Sequence, residues 1–176
     1  DGPEPSFRAG RSWLRRNKHG MWELYAEGSP YALGYAAGSL TRELASDQER
    51  YFVASLEKML PSALYRNFLR IVVAWFNRDL DDAVSDEYRR EIFGVSRWSD
   101  DRYDYIGPKY QRILNYHSAH DVGHALVNMK LAGCSSFAVM GSRTRGGGLL
   151  IGRNFDFYVG DDFARDRIVA FYAPER

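Results

Sequence analysis

The sequence predicts an α+β fold in which a helical block precedes most of the strands. Apolar residues recur at near-helical spacing across residues 31–93 and 109–133, whereas residues 135–174 contain β-prone segments separated by turns. The chain has 176 residues, of which 45% are hydrophobic and 15% aromatic. It is therefore long enough to bury a substantial core, and its composition is globular.

The N-terminal part predicts one strand followed by a helix. Residues 1–20 are polar and contain glycine, proline and arginine, so we expect an extended lead-in. MWELYAEG (21–28) alternates in part and has β-prone aromatic residues, which predicts a strand. Ser29 is a suitable helix N-cap and Pro30 is favoured at the first helical position, so we expect a helix to begin there.

Two glycines in that first helix predict a close helix contact. Gly34 and Gly38 are four residues apart and therefore lie on one face of the helix. Glycine destabilises a helix interior, so its use here indicates the close approach of another backbone.

The rest of the helical block divides at a proline. Residues 40–60 have apolar positions at helical spacing, Pro61 interrupts them, and residues 62–80 resume with a broad apolar face. The aromatic-rich part of this face, residues 65–76, is more typical of a buried core than of a ligand site.

Two further helices precede the strands. DEYRREIFGVS (86–96) is amphipathic, and we expect this helix to end at Gly94. A turn-rich connector over 97–108 leads to a helix over 109–133, closed by Gly133.

Three β-like segments follow the single cysteine. They are SSFAVMG (135–141), LLIGRNFDF (149–157) and RIVAFYAP (167–174). The first two are joined by a glycine-rich turn and predict a hairpin.

A symmetric turn would place Cys134 opposite Asp156 and Phe137 opposite Arg153. Arg153 and Asp156 are three residues apart, so on a regular strand they face opposite sides of the sheet. Both reach Cys134 only if the strand ends or bulges near Asn154.

Charge and cysteine content exclude several classes of function. Lys and Arg number 24 against 23 Asp and Glu, a net charge of +1, which gives no case for nucleic acid or an anionic membrane as partner. The single cysteine excludes an intrachain disulfide and a cysteine-rich zinc site. The best candidate for a membrane span, FLRIVVAWF (68–76), is short and contains Arg70, so we expect no transmembrane segment.

Cys134 is the strongest candidate nucleophile, although a buried core thiol is the alternative. A nearby arginine lowers the pKa of a thiol, and an aspartate orients a general base. The base is either an upstream histidine or the α-amino group of Cys134 itself, freed by cleavage of the Gly133–Cys134 bond. That group has a pKa of about 7.7–8.0 and needs no cofactor or metal.

A histidine cluster predicts a competing chemistry. His117, His120, Asp121 and His124 share one helix face, and His120 and His124 have the spacing of two zinc ligands in a zinc hydrolase. The alternative is that these histidines are packed or hydrogen-bonded without a metal. A third hypothesis is a non-catalytic helical binding module with a β appendage.

Three segments resemble a known family. GSPYALGYAAG (28–38), GCSSFAV (133–139) and LLIGRNFDF (149–157) are similar, in this order and spacing, to motifs of the acyl-CoA:6-aminopenicillanic acid acyltransferase-like family. These proteins are autoproteolytic N-terminal-nucleophile hydrolases (peptidase family C45), related to choloylglycine hydrolases and acid ceramidase. The resemblance spans roughly residues 20–176.

The resemblance implies a role for each matching residue. Cys134 would be the nucleophile for self-cleavage after Gly133 and for turnover. Arg153 would lie beside its sulfur and Asp156 would hold the new α-amino group. Asn154 matches the motif and is a supporting residue without a firm role.

The resemblance also implies the fold and the partners. The fold would be a four-layer αββα sandwich, with residues 1–133 as a helical pro-segment or small subunit and 134–176 as the start of the nucleophile domain. We expect the remainder of the same polypeptide to complete the sandwich, and an intact chain to be the uncleaved zymogen. The substrate would be a small-molecule or lipid-like N-acyl amide, by hydrolysis or acyl transfer. Export and a homo-oligomer are further expectations.

Overall fold

The computed structural model describes residues 6–126, 132–157 and 160–175. For residues 119–126, 132–134 and 155–157 it describes the backbone. Within these ranges the chain combines helices and strands, as the predicted α+β class requires.

The strands and helices have the following bounds. The strands are β1 (Phe7–Ala9), β2 (Ser12–Arg16), β3 (Trp22–Gly28), β4 (Ala132–Gly141), β5 (Gly147–Phe157) and β6 (Ile168–Pro174). The helices are α1 (Pro30–Leu40), α2 (Arg42–Met59), α3 (Ala63–Phe76), α4 (Asp86–Ser96) and α5 (Lys109–Leu126). Short 3₁₀ turns occupy Leu80–Ala83, Asp101–Tyr103 and Asp161–Ala164.

A four-stranded sheet in the order β1-β2-β3-β6 carries the core. β1, β2 and β3 are antiparallel, and β6 runs parallel to β3, with Trp22 opposite Ile168. The sheet therefore combines strands from both sides of Cys134. Its buried face packs against α1 through a cluster of apolar side chains, Leu14, Leu24, Ala26, Leu33 and Ala37.

The expectation of an extended lead-in is wrong, because residues 7–16 form the β1–β2 hairpin. The side chains of Ser12 and Leu14 alternate into the buried face of the sheet. The Nε atom of Arg15 donates a hydrogen bond of 2.7 Å to the carboxylate of Glu23 on β3, which links the two strands through their side chains.

The predicted close contact of the first helix is confirmed, and its partner is α4. A Cβ atom at Gly34 would overlap the backbone of Glu91, and one at Gly38 would lie 2.9 Å from the carbonyl oxygen of Val95. Gly94 contributes from the other side, since its Cβ would lie 2.5 Å from the carbonyl oxygen of Tyr31. The expectation that α4 ends at Gly94 is therefore wrong: this glycine is an interior contact, and α4 ends at Ser96.

The division at Pro61 is confirmed, but the expectation that residues 65–76 are core is wrong. α2 ends at Met59, and α3 begins after Ser62, whose side chain accepts a hydrogen bond from the backbone N–H of Tyr65. None of the α3 residues is buried, and most of its large apolar side chains are exposed to solvent.

The second sheet is the two-stranded pair β4–β5. Its side chains are exposed on both faces, including those of Leu150 and Ile151, which are adjacent in sequence and therefore face opposite sides. Gly133 was expected to close the preceding helix. The structure places it inside β4 instead.

In the part of the chain that the structure describes, no helix has the length and the hydropathy needed to cross a membrane.

Candidate active site

Cys134 lies near the start of β4, with its backbone already in the antiparallel ladder. It is opposite Phe155, and Gly133 is opposite Asp156. The bond between Gly133 and Cys134 is therefore a strand peptide in this intact chain.

The expected register is wrong by one residue. Cys134 was expected opposite Asp156, and Phe137 opposite Arg153, whereas Phe137 lies opposite Gly152.

The turn and a bulge together account for the shift. The turn is shorter than expected, because Gly141 already pairs with Gly147. Gly148 and Leu149 of β5 then lie opposite Met140 alone, in a bulge, before Val139 pairs with Leu150. The extra residue in β5 offsets part of the register shift that the shorter turn produces. The hydroxyl of Thr144 closes this turn by donating to the carbonyl oxygen of Gly148 over 2.7 Å.

The register places Arg153 near Cys134. Arg153 lies opposite Ser136, two residues beyond Cys134, so the two positions share one face of a regular antiparallel pair. Such diagonal neighbours have Cα atoms about 7–8 Å apart, which is within reach of an arginine side chain. The side chains of Arg153 and Asn154 are exposed to solvent.

Asp156 lies opposite Gly133, three residues beyond Arg153 along β5. The pairing is continuous from Ala132 opposite Phe157 to Val139 opposite Leu150, so this stretch has no strand end or bulge near Asn154 of the kind that would let both side chains reach Cys134. In the intact chain the regular register therefore assigns Asp156 and Arg153 to opposite faces of β5. The side chains of Cys134 and Asp156 lie outside the described part of the structure, so their contact stays a prediction.

The histidine cluster lies on an observed helix. α5 includes His117, His120 and His124, so their i, i+3, i+7 spacing places these three positions on one face of the helix. The ring Nδ1 of His117 is 2.9 Å from the carbonyl oxygen of Ile113. The side chains of His120, Asp121 and His124 are outside the described part, and the zinc hypothesis stays untested. Among the residues that are described, no group of three potential ligands lies together.

A buried ion pair was missed by the sequence interpretation. The side chain of Arg112 is fully buried and its Nε lies 2.7 Å from Oε1 of Glu49, which is also buried. Arg112 also donates hydrogen bonds to Asp104 and to the carbonyl oxygens of Asp100 and Gly107. It thereby joins α2, the 97–108 connector and α5.

Burial and the neighbouring groups shift the pKa of the Glu49 carboxyl in opposite directions. Burial raises the pKa of the Glu49 carboxyl, although the hydroxyl of Tyr116, which donates to Glu49 over 2.7 Å, and the charge of Arg112 oppose this shift. Burial also raises the pKa of Tyr116, so it remains a neutral donor. The signal available in the sequence was a charged residue at helical spacing from an aromatic one, with Glu49 three residues before Phe52 and Arg112 four residues before Tyr116.

An open cleft of about 460 Å³ lies between the N-terminal ends of α1 and α4 and the end of β6. None of its lining residues belongs to the β4–β5 hairpin. They are Pro30, Asp86, Glu87, Arg90, Pro174 and Glu175.

Comparisons with known proteins give no further assignment. A scan against protein-family models, a search of curated proteins and a search of solved structures each found no match. The motifs on β4 and β5 therefore carry the functional interpretation.

Proposed function

We propose that the protein is an autoproteolytic amide-bond hydrolase or acyltransferase with Cys134 as its N-terminal nucleophile. The observation that supports this most is the pairing of the two motifs. GCSSFAV and LLIGRNFDF lie on adjacent strands, and Arg153 is a diagonal neighbour of Cys134. A guanidinium at that position lowers the pKa of a thiol and increases the fraction of reactive thiolate.

Self-cleavage would proceed through a thioester. The sulfur of Cys134 attacks the carbonyl carbon of Gly133, the C–N bond breaks, and the nitrogen leaves as the α-amino group of Cys134. Water then attacks the thioester, giving the carboxylate of Gly133 and restoring the thiol of Cys134. Glycine suits the first step because it has no Cβ to obstruct the attack.

Turnover would repeat the same chemistry on an external amide. The α-amino group accepts the thiol proton, and the thiolate attacks the acyl carbonyl. The leaving amine takes the proton and a thioester remains on Cys134. Attack by water gives the acid, whereas attack by a second amine gives a new amide.

The proposed cleavage also accommodates the opposite positions of Arg153 and Asp156. The sulfur of Cys134 belongs to a side chain and lies on one face, where Arg153 is the diagonal neighbour. The α-amino nitrogen belongs to the backbone and lies in the plane of the sheet, so a carboxylate on the other face can reach it. Loss of Gly133 from the ladder also opens the position opposite Asp156. Asn154 would support this strand without a role in proton transfer.

The αββα sandwich is likewise a proposal. The apolar side chains on both faces of β4–β5 support it, because strands that are covered on both faces are apolar on both faces. We propose that the remainder of the same polypeptide supplies the covering layers.

An acyl-enzyme test examines this function. The protein is incubated with a panel of N-acyl amides, quenched in acid and analysed by mass spectrometry for acylation of Cys134. We expect an adduct that hydroxylamine removes and that Cys134→Ser converts to a hydroxylamine-resistant ester or abolishes. A metal chelator should leave the adduct unchanged. Turnover that survives in Cys134→Ala and disappears with chelator would instead support a zinc hydrolase using His120 and His124.

A further inference from the structure

Strand β6 leaves one long edge of the four-stranded sheet open. Among the strands that the structure describes it is the outermost one, paired on one side with β3. Its seven residues, IVAFYAP, include no charged residue, and large side chains on both of its faces are exposed. They are Ile168 at 37%, Val169 at 39%, Phe171 at 55% and Tyr172 at 52% exposure. An edge strand of this kind presents unpaired N–H and C=O groups that another strand can bind.

The opposite edge of the same sheet is protected. β1 has three residues, and Arg8 is at its centre. Short edge strands and charged side chains both discourage pairing with another chain. The sheet therefore favours a further strand beside β6 over one beside β1.

The ladder with β3 fixes which backbone groups of β6 point outward. The N–H of Trp22 donates to the carbonyl oxygen of Arg167 over 3.1 Å, and the N–H of Glu175 donates to the carbonyl oxygen of Gly28 over 3.0 Å. Backbone groups alternate in direction along a strand, so every second position from 167 to 175 faces β3. The positions between them direct their N–H and C=O groups away from β3. They are Ile168, Ala170 and Tyr172.

The sequence of β6 is complementary to itself in an antiparallel pair centred on Phe171. Ala170 of one copy then lies opposite Tyr172 of the other, and the outward groups of these two residues exchange both hydrogen bonds. The two copies of Phe171 form the closer, non-hydrogen-bonded pair, and aromatic residues stabilise such a pair. Pro174 lies opposite Ile168 and has no N–H to donate, so the ladder ends there.

The charges at the two ends of β6 are complementary in the same register. Arg167 and Glu175 are each four residues from Phe171, so Arg167 of one copy lies opposite Glu175 of the other, on the same face of the sheet. In the sequence, Asp166 and Arg176 are also opposite in charge, and each is five residues from Phe171. Opposite charges at facing positions stabilise a strand pair, whereas like charges destabilise it.

Arg167 and Glu175 can pair only between two copies. They are eight residues apart on one strand, a distance of about 26 Å, so they do not meet within one protomer. Both side chains are exposed. The Nε of Arg167 donates to the carbonyl oxygen of Ala164 over 3.2 Å, and the other N–H groups of its guanidinium are additional donors.

We propose that two copies of the protein associate through antiparallel pairing of their β6 strands. The two sheets become one continuous sheet, with a two-fold axis at Phe171. A second copy is the occupant that the observations favour, because the charges that flank β6 match those of the same segment in the reverse direction. This inference goes beyond the proposed hydrolase or acyltransferase activity and does not depend on the chemistry of Cys134.

Charge reversal tests the pairing by sedimentation velocity of the whole protein. We expect a wild-type dimer in the micromolar range. Arg167→Glu and Glu175→Arg should each weaken association about tenfold, because each places like charges opposite one another at both ends of the pair. The double variant Arg167→Glu/Glu175→Arg should recover the wild-type affinity, and so should an equimolar mixture of the two single variants. Arg143→Glu, an exposed position in the β4–β5 turn, is the control and should leave the dimer unchanged.

Two results would overturn the proposal. The first is a wild type that stays monomeric throughout the micromolar range, as it would if another part of its own polypeptide covered β6. The second is a dimer that responds equally to Arg167→Glu and Arg143→Glu, or that the double variant does not restore. Circular dichroism checks that each variant is folded.

A proline at Ala170 separates dimer pairing from folding. The N–H of Ala170 points away from β3, so Ala170→Pro removes a donor from the open edge and leaves the β3 ladder intact. We expect association to weaken at least about tenfold, with the unfolding midpoint nearly unchanged. Undiminished association of folded Ala170→Pro would contradict pairing through this edge.

Disulfide trapping tests the register. In a Cys134→Ser background, Phe171→Cys puts a single thiol at the two-fold axis, where the Cα atoms of a non-hydrogen-bonded pair are about 4.5 Å apart, within the range for a disulfide. We expect mild oxidation to give a covalent dimer. Ala173→Cys in the same background is the control, because Ala173 lies opposite Val169 of the other copy. Equal trapping at both positions would contradict the register centred on Phe171.

Discussion

Arg112 on α5 lies wholly inside the protein with its Nε 2.7 Å from Oε1 of Glu49 on α2. Removing one member of a buried ion pair leaves the other charge uncompensated in an environment of low polarity, which destabilises the folded state. We therefore expect Arg112→Met to lower the free energy of unfolding by about 3–5 kcal/mol. Urea unfolding followed by circular dichroism measures this change.

The control for that prediction is an exposed ion pair. Arg50 and Asp47 are 2.7 Å apart on the surface of α2, and Asp47→Ala should cost less than about 1 kcal/mol. If Arg112→Met and Asp47→Ala lower the free energy of unfolding equally, the buried Arg112–Glu49 pair contributes no more to stability than an exposed pair.

Asp100 should make the stability of the protein sensitive to acid. Hydrogen bonds from the side chain and backbone N–H of Arg102, and from Ser46, hold the pKa of the Asp100 carboxyl well below its usual range. A lowered folded-state pKa contributes stability that is complete above the unfolded value, about 3.9, and is lost as the pH falls toward the folded value. We expect Asp100→Asn to lose stability at pH 7 and to reduce the fall in stability below pH 4.

A double-mutant cycle assigns this acid sensitivity to its cause. Arg102→Gln should also reduce the fall in stability below pH 4, and the double variant should add little to either single one. Unchanged acid dependence in Asp100→Asn would show that other carboxyl groups dominate this pH range.

The glycine contact between α1 and α4 should tolerate no added methyl group. Alanine favours a helix over glycine by about 1 kcal/mol, so Gly94→Ala would stabilise an isolated helix. In the protein its Cβ would approach the carbonyl oxygen of Tyr31 at 2.5 Å, and the helices must move apart. We expect a net destabilisation of about 1–3 kcal/mol in thermal or urea unfolding.

Gly107→Ala is the matched control for the helix contact. Apart from its neighbours in the chain, no atom would lie within 4 Å of a Cβ at Gly107, so that substitution should leave the unfolding midpoint nearly unchanged. A stabilising Gly94→Ala would contradict the close approach of the two helices.

Arg153 should govern the reactivity of the single thiol. Since Cys134 is the only cysteine, the rate of alkylation by iodoacetamide reports on it alone. If Arg153 lowers the pKa of this thiol, Arg153→Ala should slow alkylation about tenfold at pH 7 and move its pH midpoint upward, with Arg153→Lys in between. Arg143→Ala, in the turn of the same hairpin, is the control. Equal rates in Arg153→Ala and the wild type would place the guanidinium away from the sulfur.

Local signals in the sequence predicted the local elements. The strand at β3, the helix that begins after Ser29, the break at Pro61 and the β4–β5 hairpin each depend on short patterns of polarity, capping or turn residues. The glycines of α1 correctly predicted a close backbone approach, although not the partner helix, which lies far along the chain.

Non-local relationships were beyond the same reasoning. Nothing local in β6 indicates that it pairs in parallel with β3, and the hairpin register depends on a bulge beside Met140. The apolar face of α3 has the pattern of a buried face, so its exposure is visible only in the structure. At the candidate site, motifs located Cys134, Arg153 and Asp156, but the sequence has no information on the side-chain geometry that joins them.

The intact mass of the purified full-length protein, measured beside that of a Cys134→Ala variant, decides whether Cys134 is a self-processing nucleophile. We expect the wild type to divide into two chains at the bond between Gly133 and Cys134, the two chains to remain associated, and the variant to stay whole. If both proteins stay whole after prolonged incubation from pH 5 to pH 9, Cys134 does not cleave its own chain and the proposed function is wrong.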